Sequence, residues 1–91
     1  MMPASPTSVV LAEAVSSTSV ADGLVLLDER RGMIYHLNHS GAATMSALLT
    51  DGYEAAVTVL CARYAITADT ARRDVTRLID ELRARRLVGI S

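Results

Sequence analysis

The 91-residue sequence contains no tryptophan, phenylalanine or lysine, and it has only three tyrosines and one cysteine. The core must therefore be built from Leu, Val, Ile, Ala and Met, and an intrachain disulfide is excluded. No apolar run approaches the roughly 18 residues of a membrane-spanning helix. The N-terminus also lacks the basic and apolar regions of a secretory signal. We therefore expect a cytoplasmic protein without a membrane span.

A strong net charge is also missing, because nine arginines face ten acidic residues and leave a net charge of −1. Such a protein has no general attraction to nucleic acid or to an anionic membrane, so we expect no nucleic-acid partner. The length allows one domain and leaves no room for a catalytic domain beside a binding domain. Residues 1–7 hold both prolines and are predicted to be a disordered tail, followed by a domain over 8–91.

The first half of the domain has the composition of β-strands. A first strand is predicted over residues 8–15, followed by a polar connection over 16–23. Residues 24–29 and 33–38 are short runs with high β-propensity, and Gly32 between them can adopt the positive φ of a tight turn. These two runs are therefore predicted to form a β-hairpin.

Beyond residue 38 the apolar period changes from 2 to about 3.6, which predicts three helices. Asn38 or Ser40 caps the first helix, which runs to about Thr50. The second spans about 54–64, and Asp51 followed by Glu54 resembles a capping box. The third helix, over 67–86, is capped by Thr67 and has the clearest apolar stripe. That stripe consists of Ala71, Val75, Leu78, Ile79 and Leu82.

Candidate catalytic groups are weak throughout the sequence. Cys61 lies in an apolar helix stripe, which favours a buried structural role. His36 and His39 lack a third ligand of suitable spacing, so no metal site is expected. The acidic pairs at 28–29 and 80–81 are predicted to be solvated, and the dispersed glycines form no phosphate-binding loop. We expect a protein that is not an enzyme and needs no cofactor.

Two features leave alternatives open at this point. The arginines of the third helix form either a solvated face or a surface for an anion or acidic peptide. They are Arg72, Arg73, Arg77, Arg83, Arg85 and Arg86. The strand at 33–37 contains no proline and no charged side chain, which is typical of an edge that accepts a partner strand. The same strand is equally compatible with a central or covered position.

One set of residues, spread from about Leu11 to Leu87, resembles the PqqD-like family in order and in spacing. Two positions depart from the pattern, because Met45 occupies a region where the family often has Trp and Arg86 replaces the usual Gly before Leu87. The matching residues are Asp22-Gly23, Leu26-Leu27-Asp28, Gly32, Tyr35, Leu37-Asn38, Ala43, Leu48-Leu49, Asp51-Gly52, Arg63-Tyr64, Asp74-Val75, Leu82 and Leu87.

The resemblance implies an α+β, winged-helix-like fold in which a three-stranded antiparallel sheet is followed by three helices. It also implies binding of the leader segments of ribosomally made, post-translationally modified peptides. In this family the leader adds as a strand to the third strand, here 33–38, beside the third helix, here 67–86. A stand-alone domain is similar to the discrete leader-binding proteins of lasso-peptide clusters. There, a separate cysteine protease and an ATP-dependent cyclase perform the chemistry.

The peptide-binding residues expected from this resemblance lie on one strand and one helix, and Arg72 is expected to pair with an acidic leader residue. Two other functions stay open, namely a small winged-helix DNA-binding regulator and an accessory subunit that only stabilises the protease. The expected binding residues are Met33, Ile34, Tyr35, His36, Leu37 and Asn38 on the strand, with Arg72, Val75, Thr76 and Ile79 on the helix.

Overall fold

A computed structural model describes residues 9–90. The predicted tail over residues 1–7 lies outside this range. The chain forms four strands, three helices and a short final strand. The strands are β1 (Val9–Leu11), β2 (Val15–Val20), β3 (Gly23–Asp28), β4 (Met33–Leu37) and β5 (Val88–Ile90), and the helices are α1 (His39–Thr50), α2 (Tyr53–Tyr64) and α3 (Ala68–Ala84).

The main sheet is antiparallel with the order β2-β3-β4, and three helices follow it along the chain. The predicted fold class is therefore confirmed. The predicted hairpin is also present, because Asp28 pairs with Met33 in the register and Gly32 takes a φ of 69° in the turn. The Asp28 carboxylate accepts hydrogen bonds from the N–H groups of Arg30 at 3.1 Å and Arg31 at 3.2 Å. Asp28 is buried, so the prediction that it is solvated was wrong.

The first strand of the sheet lies later than the sequence predicted. Residues 8–15 were assigned to it and 16–23 to a connection, but the sheet strand is β2, Val15–Val20. β1 instead pairs with β5 in a separate two-stranded sheet, and Ala14 turns the chain at a φ of 69°. The Ser- and Thr-rich β2 lies at an exposed edge, where neither face needs apolar side chains. It therefore lacks the alternation by which a strand is recognised.

The helices begin close to their predicted positions, although one cap differs. The Asn38 side chain accepts from the N–H of Gly41 at 2.9 Å and caps α1, and the Thr67 side chain accepts from Thr70 and caps α3. The predicted capping box of α2 is wrong. α2 begins after Gly52, at a φ of 100° and without a side-chain cap, while Asp51 ends α1.

The apolar core lies between one face of the main sheet and the helices. Leu26 and Leu37 contribute from the sheet, and Met45 from α1, which occupies the region where the family often has Trp, is fully buried. Cys61 is only partly buried, at the margin of the core. Across residues 9–90, no helix has the length and apolar character to cross a membrane. The apolar stripe of α3 is buried at Ala71, Val75, Ile79 and Leu82.

Candidate functional site

Strand β4 lies at an edge of the main sheet, which settles the alternative that the sequence left open. It pairs with β3 on one side and with no strand from residues 9–90 on the other. Met33 and Ile34 are 59% and 69% exposed, although both are large apolar residues. An uncharged edge with exposed apolar side chains is suited to pairing with another extended chain.

Two hydrogen bonds near the hairpin determine which backbone groups of β3 point towards β4. The N–H of Glu29 donates to the carbonyl oxygen of Ala14 at 2.9 Å, on the β2 side. The carbonyl oxygen of Asp28, one residue earlier, accepts from the N–H of Gly32 at 2.8 Å, on the β4 side. Successive residues of an antiparallel strand direct their backbone N–H and C=O groups to opposite neighbouring strands. Every second residue of β3, counted back from Asp28, therefore directs these groups towards β4.

The same alternation defines the open edge of β4. The register partners of those β3 residues are Met33, Tyr35 and Leu37, which therefore direct their backbone groups inward to β3. Ile34 and His36 lie between them and direct their N–H and C=O groups outward. These two residues therefore supply the backbone donors and acceptors that an added strand would use.

Beside this edge lies a groove of about 560 Å³, which we call the β4–α3 groove. The strand contributes its last residues, and the first turn of α1 closes one end. Apolar and aromatic side chains from α2, α3 and the loop between them surround that end. The lining residues are Tyr35, His36, Leu37 and Asn38 of the strand region, Ser40, Gly41 and Thr44 of α1, Leu60, Tyr64 and Ile66, and Asp74, Arg77, Leu78 and Glu81 of α3.

Helix α3 runs antiparallel to β4 along this groove. Its residue Asp74 lines the end near Gly41, whereas the Arg85 guanidinium lies 4.9 Å from the centre of the Tyr35 ring. That distance is within the range of a cation–π contact. Partial burial, followed by the nearby Glu81 carboxylate, raises the pKa of the Tyr35 phenol.

The structure brings all six predicted strand residues, 33–38, to the open edge or its groove, but it places the predicted helix residues elsewhere. Val75 and Ile79 are buried in the core. Arg72 forms an ion pair with Glu54 at 2.7 Å. Thr76 lies 3.2 Å from the Tyr53 hydroxyl, so it also faces the start of α2.

The helix residues that line the groove are displaced around the helix from those that the sequence predicted. Asp74, Leu78 and Glu81 are spaced four and three residues apart, which places them on one face beside the buried stripe. The only sequence signal for this face was Leu78, which stands in the apolar stripe but remains partly exposed. The groove residues of α2 gave no signal, because their proximity to β4 depends on tertiary packing.

His36 contributes a polar contact at the rim of the groove. His36 Nε2 lies 3.2 Å from Asp22 Oδ1. This contact is the main reason why the pKa of the Asp22 carboxyl is lowered. Within the described residues, no group of three or more His, Cys, Asp or Glu side chains is arranged to hold a metal ion.

The family model described as coenzyme PQQ synthesis protein D (PqqD) matches residues 23–88 of the chain. This segment begins at β3 and ends in β5, so it includes both sides of the β4–α3 groove. Curated protein sequences, by contrast, give no match.

Two solved structures with bound peptides are similar to the whole arrangement. One is a lasso peptide synthetase B1 complexed with the leader peptide, at 25% identity and a TM-score of 0.84. That match covers 90% of this chain and 98% of the other. The second is TbiB1 in complex with the TbiA(beta) leader peptide, at 28% identity and a TM-score of 0.80. It covers 87% of this chain and 93% of the other.

Proposed function

Because the chain belongs to the PqqD family, we propose that it binds the leader segment of a ribosomally made precursor peptide, as a lasso-peptide recognition element. The two similar structures support this proposal, since both contain a leader peptide. The observation that carries it is the uncharged open edge of β4, which lies directly beside a groove with apolar side chains at one end.

In the proposed mechanism the leader adds to β4 as an antiparallel strand. The outward N–H and C=O groups of Ile34 and His36 bond to leader backbone, and each hydrogen bond contributes about 0.5–1.5 kcal/mol net. These bonds are independent of leader side chains, so they provide affinity without much sequence selection. Ordering a flexible leader costs conformational entropy, which keeps the affinity moderate for the area buried.

Selectivity comes from alternate leader side chains that enter the β4–α3 groove. The end of the groove near α1 offers Leu60, Ile66 and Leu78, which favour an apolar leader residue. The groove is also lined by Asp74 and Glu81, whose charge is opposite to that of Arg77. A leader with suitably placed polar residues is therefore preferred over one that leaves these charges unpaired.

The protein performs no chemistry in this proposal. It presents the leader to a cysteine protease and keeps the attached core peptide near an ATP-dependent cyclase. Binding of the leader raises the effective concentration of the precursor at these enzymes. Two partner enzymes and one precursor peptide are thus the proposed partners.

Fluorescence anisotropy with a labelled leader from the neighbouring precursor gene tests this function. We expect saturable binding by the isolated protein, and no binding to a scrambled peptide of the same composition. The accessory-subunit alternative predicts no binding by the isolated protein. Absence of leader binding to a folded sample would therefore reject the proposal.

A proline substitution tests the strand-addition mechanism separately. His36→Pro removes an outward N–H, so we expect about a tenfold loss of leader affinity in a folded domain. His36→Ala controls for loss of the side chain. Ser17→Pro is the matched control on β2. The two neighbours of Ser17 direct their backbone groups towards β3, so Ser17 directs its N–H towards the opposite, free edge of the sheet. Equal effects of His36→Pro and Ser17→Pro would contradict addition at β4.

A further inference from the structure

A second, smaller pocket of about 170 Å³ lies at the hairpin end of β4, where the strand begins. We call it the hairpin-end pocket. Leu87, which follows α3 and is buried, contributes an apolar surface together with Met33 and Tyr35. Ile34 and Asp28 also line it, together with Arg31 from the hairpin turn and Arg85 from the end of α3, so that two arginines face one acidic residue.

Neither guanidinium group in this pocket forms a short ion pair, although that of Arg85 also lies over the Tyr35 ring. Arg31 Nε lies 3.9 Å from Asp28 Oδ2, beyond hydrogen-bonding distance, and Arg85 reaches Glu81 through a single contact of 3.5 Å. The Asp28 carboxylate is already occupied by two backbone N–H groups of the turn. Most of the donors on the two arginines are therefore available to a further acceptor.

An acidic side chain is the complement of such a pocket. A carboxylate accepts from guanidinium groups in paired, charge-assisted hydrogen bonds, which are stronger than neutral ones. The apolar side chains of Met33, Tyr35 and Leu87 can contact the methylene groups of Asp or Glu. Neither an amine nor a lone apolar residue uses both features.

The direction of the chain decides which part of a bound peptide reaches this pocket. β4 runs from Met33 at the hairpin to Leu37 at the start of α1. A strand added antiparallel to β4 therefore begins beside Leu37 and ends beside Met33. Its residues pass the β4–α3 groove first, and the segment that follows towards the C-terminus passes the hairpin-end pocket.

We propose that the hairpin-end pocket binds an acidic side chain of the leader, on the C-terminal side of the segment held in the β4–α3 groove. This inference rests on the proposed function. It moves the acidic contact expected at Arg72 to Arg31 and Arg85, because Arg72 is already paired with Glu54 on the side of α3 that faces α2. The pocket thus sets the register of the leader as it leaves the domain towards the core peptide.

A charge-exchange experiment tests the pocket with the labelled leader of the neighbouring precursor gene. Arg31→Glu and Arg85→Glu should each weaken binding about tenfold. Arg73→Glu is the matched control, since it makes the same charge change at an exposed α3 residue that lines neither of the two sites. A leader in which the contacting acid is replaced by Lys should bind the wild type weakly and recover affinity with Arg31→Glu.

The outcomes separate this inference from the function on which it rests. If the wild type does not bind the leader, the proposed function fails. If the wild type binds but Arg31→Glu and Arg85→Glu behave like Arg73→Glu, or the leader has no acid in the segment beyond the groove, the pocket assignment is overturned. Arg31 is exposed in a turn, so Arg31→Glu keeps the test valid even if Arg85→Glu disturbs the cation–π contact with Tyr35.

Discussion

At the scale of single residues, Gly23 and Asp28 fix the two ends of β3. Gly23 has a φ of 152°, and a Cβ placed on it would lie 1.8 Å from the carbonyl oxygen of Leu37. This close approach also places the Leu37 carbonyl on the β3 side of β4, in agreement with the inward direction derived from the hairpin. Asp28 holds the turn at the other end through its bonds to Arg30 and Arg31.

Gly23→Ala is therefore expected to lower the free energy of unfolding by about 3 kcal/mol, because the backbone must shift to admit the methyl group. Gly32→Ala is the matched control. Gly32 also has a positive φ, of 69°, but no atom lies within 4 Å of the added methyl, so a loss of about 1 kcal/mol is expected. Urea denaturation measures both values, and equal losses would contradict the steric argument.

Tyr35 gives a prediction about alkaline pH. Its raised pKa means that the folded protein holds the phenolic proton more tightly than the unfolded chain does. The phenol therefore favours folding below its ordinary pKa of about 10, and this contribution is lost as pH rises through the raised folded value. Difference absorbance titration of the wild type against Tyr35→Phe should give a midpoint above 10. A midpoint at or below 10 would show that burial and Glu81 do not act on Tyr35.

At the scale of elements, the rotation of α3 about its own axis relative to β4 determines which helix residues line the groove. The sequence placed the apolar stripe of α3 correctly, but the stripe is used for the core. The face available to a peptide lies beside it, where Leu78 is partly exposed and Asp74 and Glu81 are charged. Hydrophobic periodicity predicts which side of a helix is buried, but it does not predict which flank faces an open sheet edge.

Leu78→Ala should accordingly weaken leader binding by about three- to thirtyfold, because it removes apolar surface from the proposed site. Arg72→Ala should leave leader binding unchanged, because Arg72 pairs with Glu54 outside the groove. Isothermal titration calorimetry with the leader compares the two variants. A loss with Arg72→Ala but not with Leu78→Ala would restore the helix face that the sequence predicted.

At the scale of the whole molecule, the charge distribution argues for a peptide rather than a duplex as the ligand. The net charge is −1, and two of the six arginines between Arg72 and Arg86 form ion pairs with acids of the same chain. A DNA-reading helix needs a clearly basic surface, and its binding weakens steeply with salt. In a gel shift with the DNA upstream of its own gene we expect no complex at about 50 mM salt, where phosphate contacts are strong. A salt-sensitive complex would favour the regulator instead.

If the leader adds to β4 as proposed, its binding should also stabilise the entire domain, since the added strand would contact both the sheet and the helices. At a free leader concentration of about 100 times Kd, the free energy of unfolding rises by about 2.7 kcal/mol. For a domain of this size that corresponds to an increase in Tm of roughly 10 °C or more. Differential scanning calorimetry with the leader and a scrambled control measures it, and an unchanged Tm at saturation would contradict binding to the folded state.

The sequence by itself determined the order of elements from the hairpin to the third helix, because hairpins and helices depend on local chemistry, but it gave no sign of β5. Turn glycines, the Asn38 and Thr67 caps and the change of period from 2 to 3.6 act over a few residues, and the structure confirms the hairpin and three helices they predict. A strand over residues 33–38 that leads into the first helix was also predicted, and the structure places β4 at Met33–Leu37 with Asn38 as the cap of α1.

Only the tertiary structure decided three matters, each of which depends on residues distant in sequence. The Ser- and Thr-rich β2 is a strand because β3 supplies its hydrogen bonds, although its own composition indicated a loop. β4 is an edge because no other strand from residues 9–90 pairs with it. The groove residues of α3 follow from how that helix packs against α2 and β5, which leaves the buried stripe in the core and turns its flank towards the open edge.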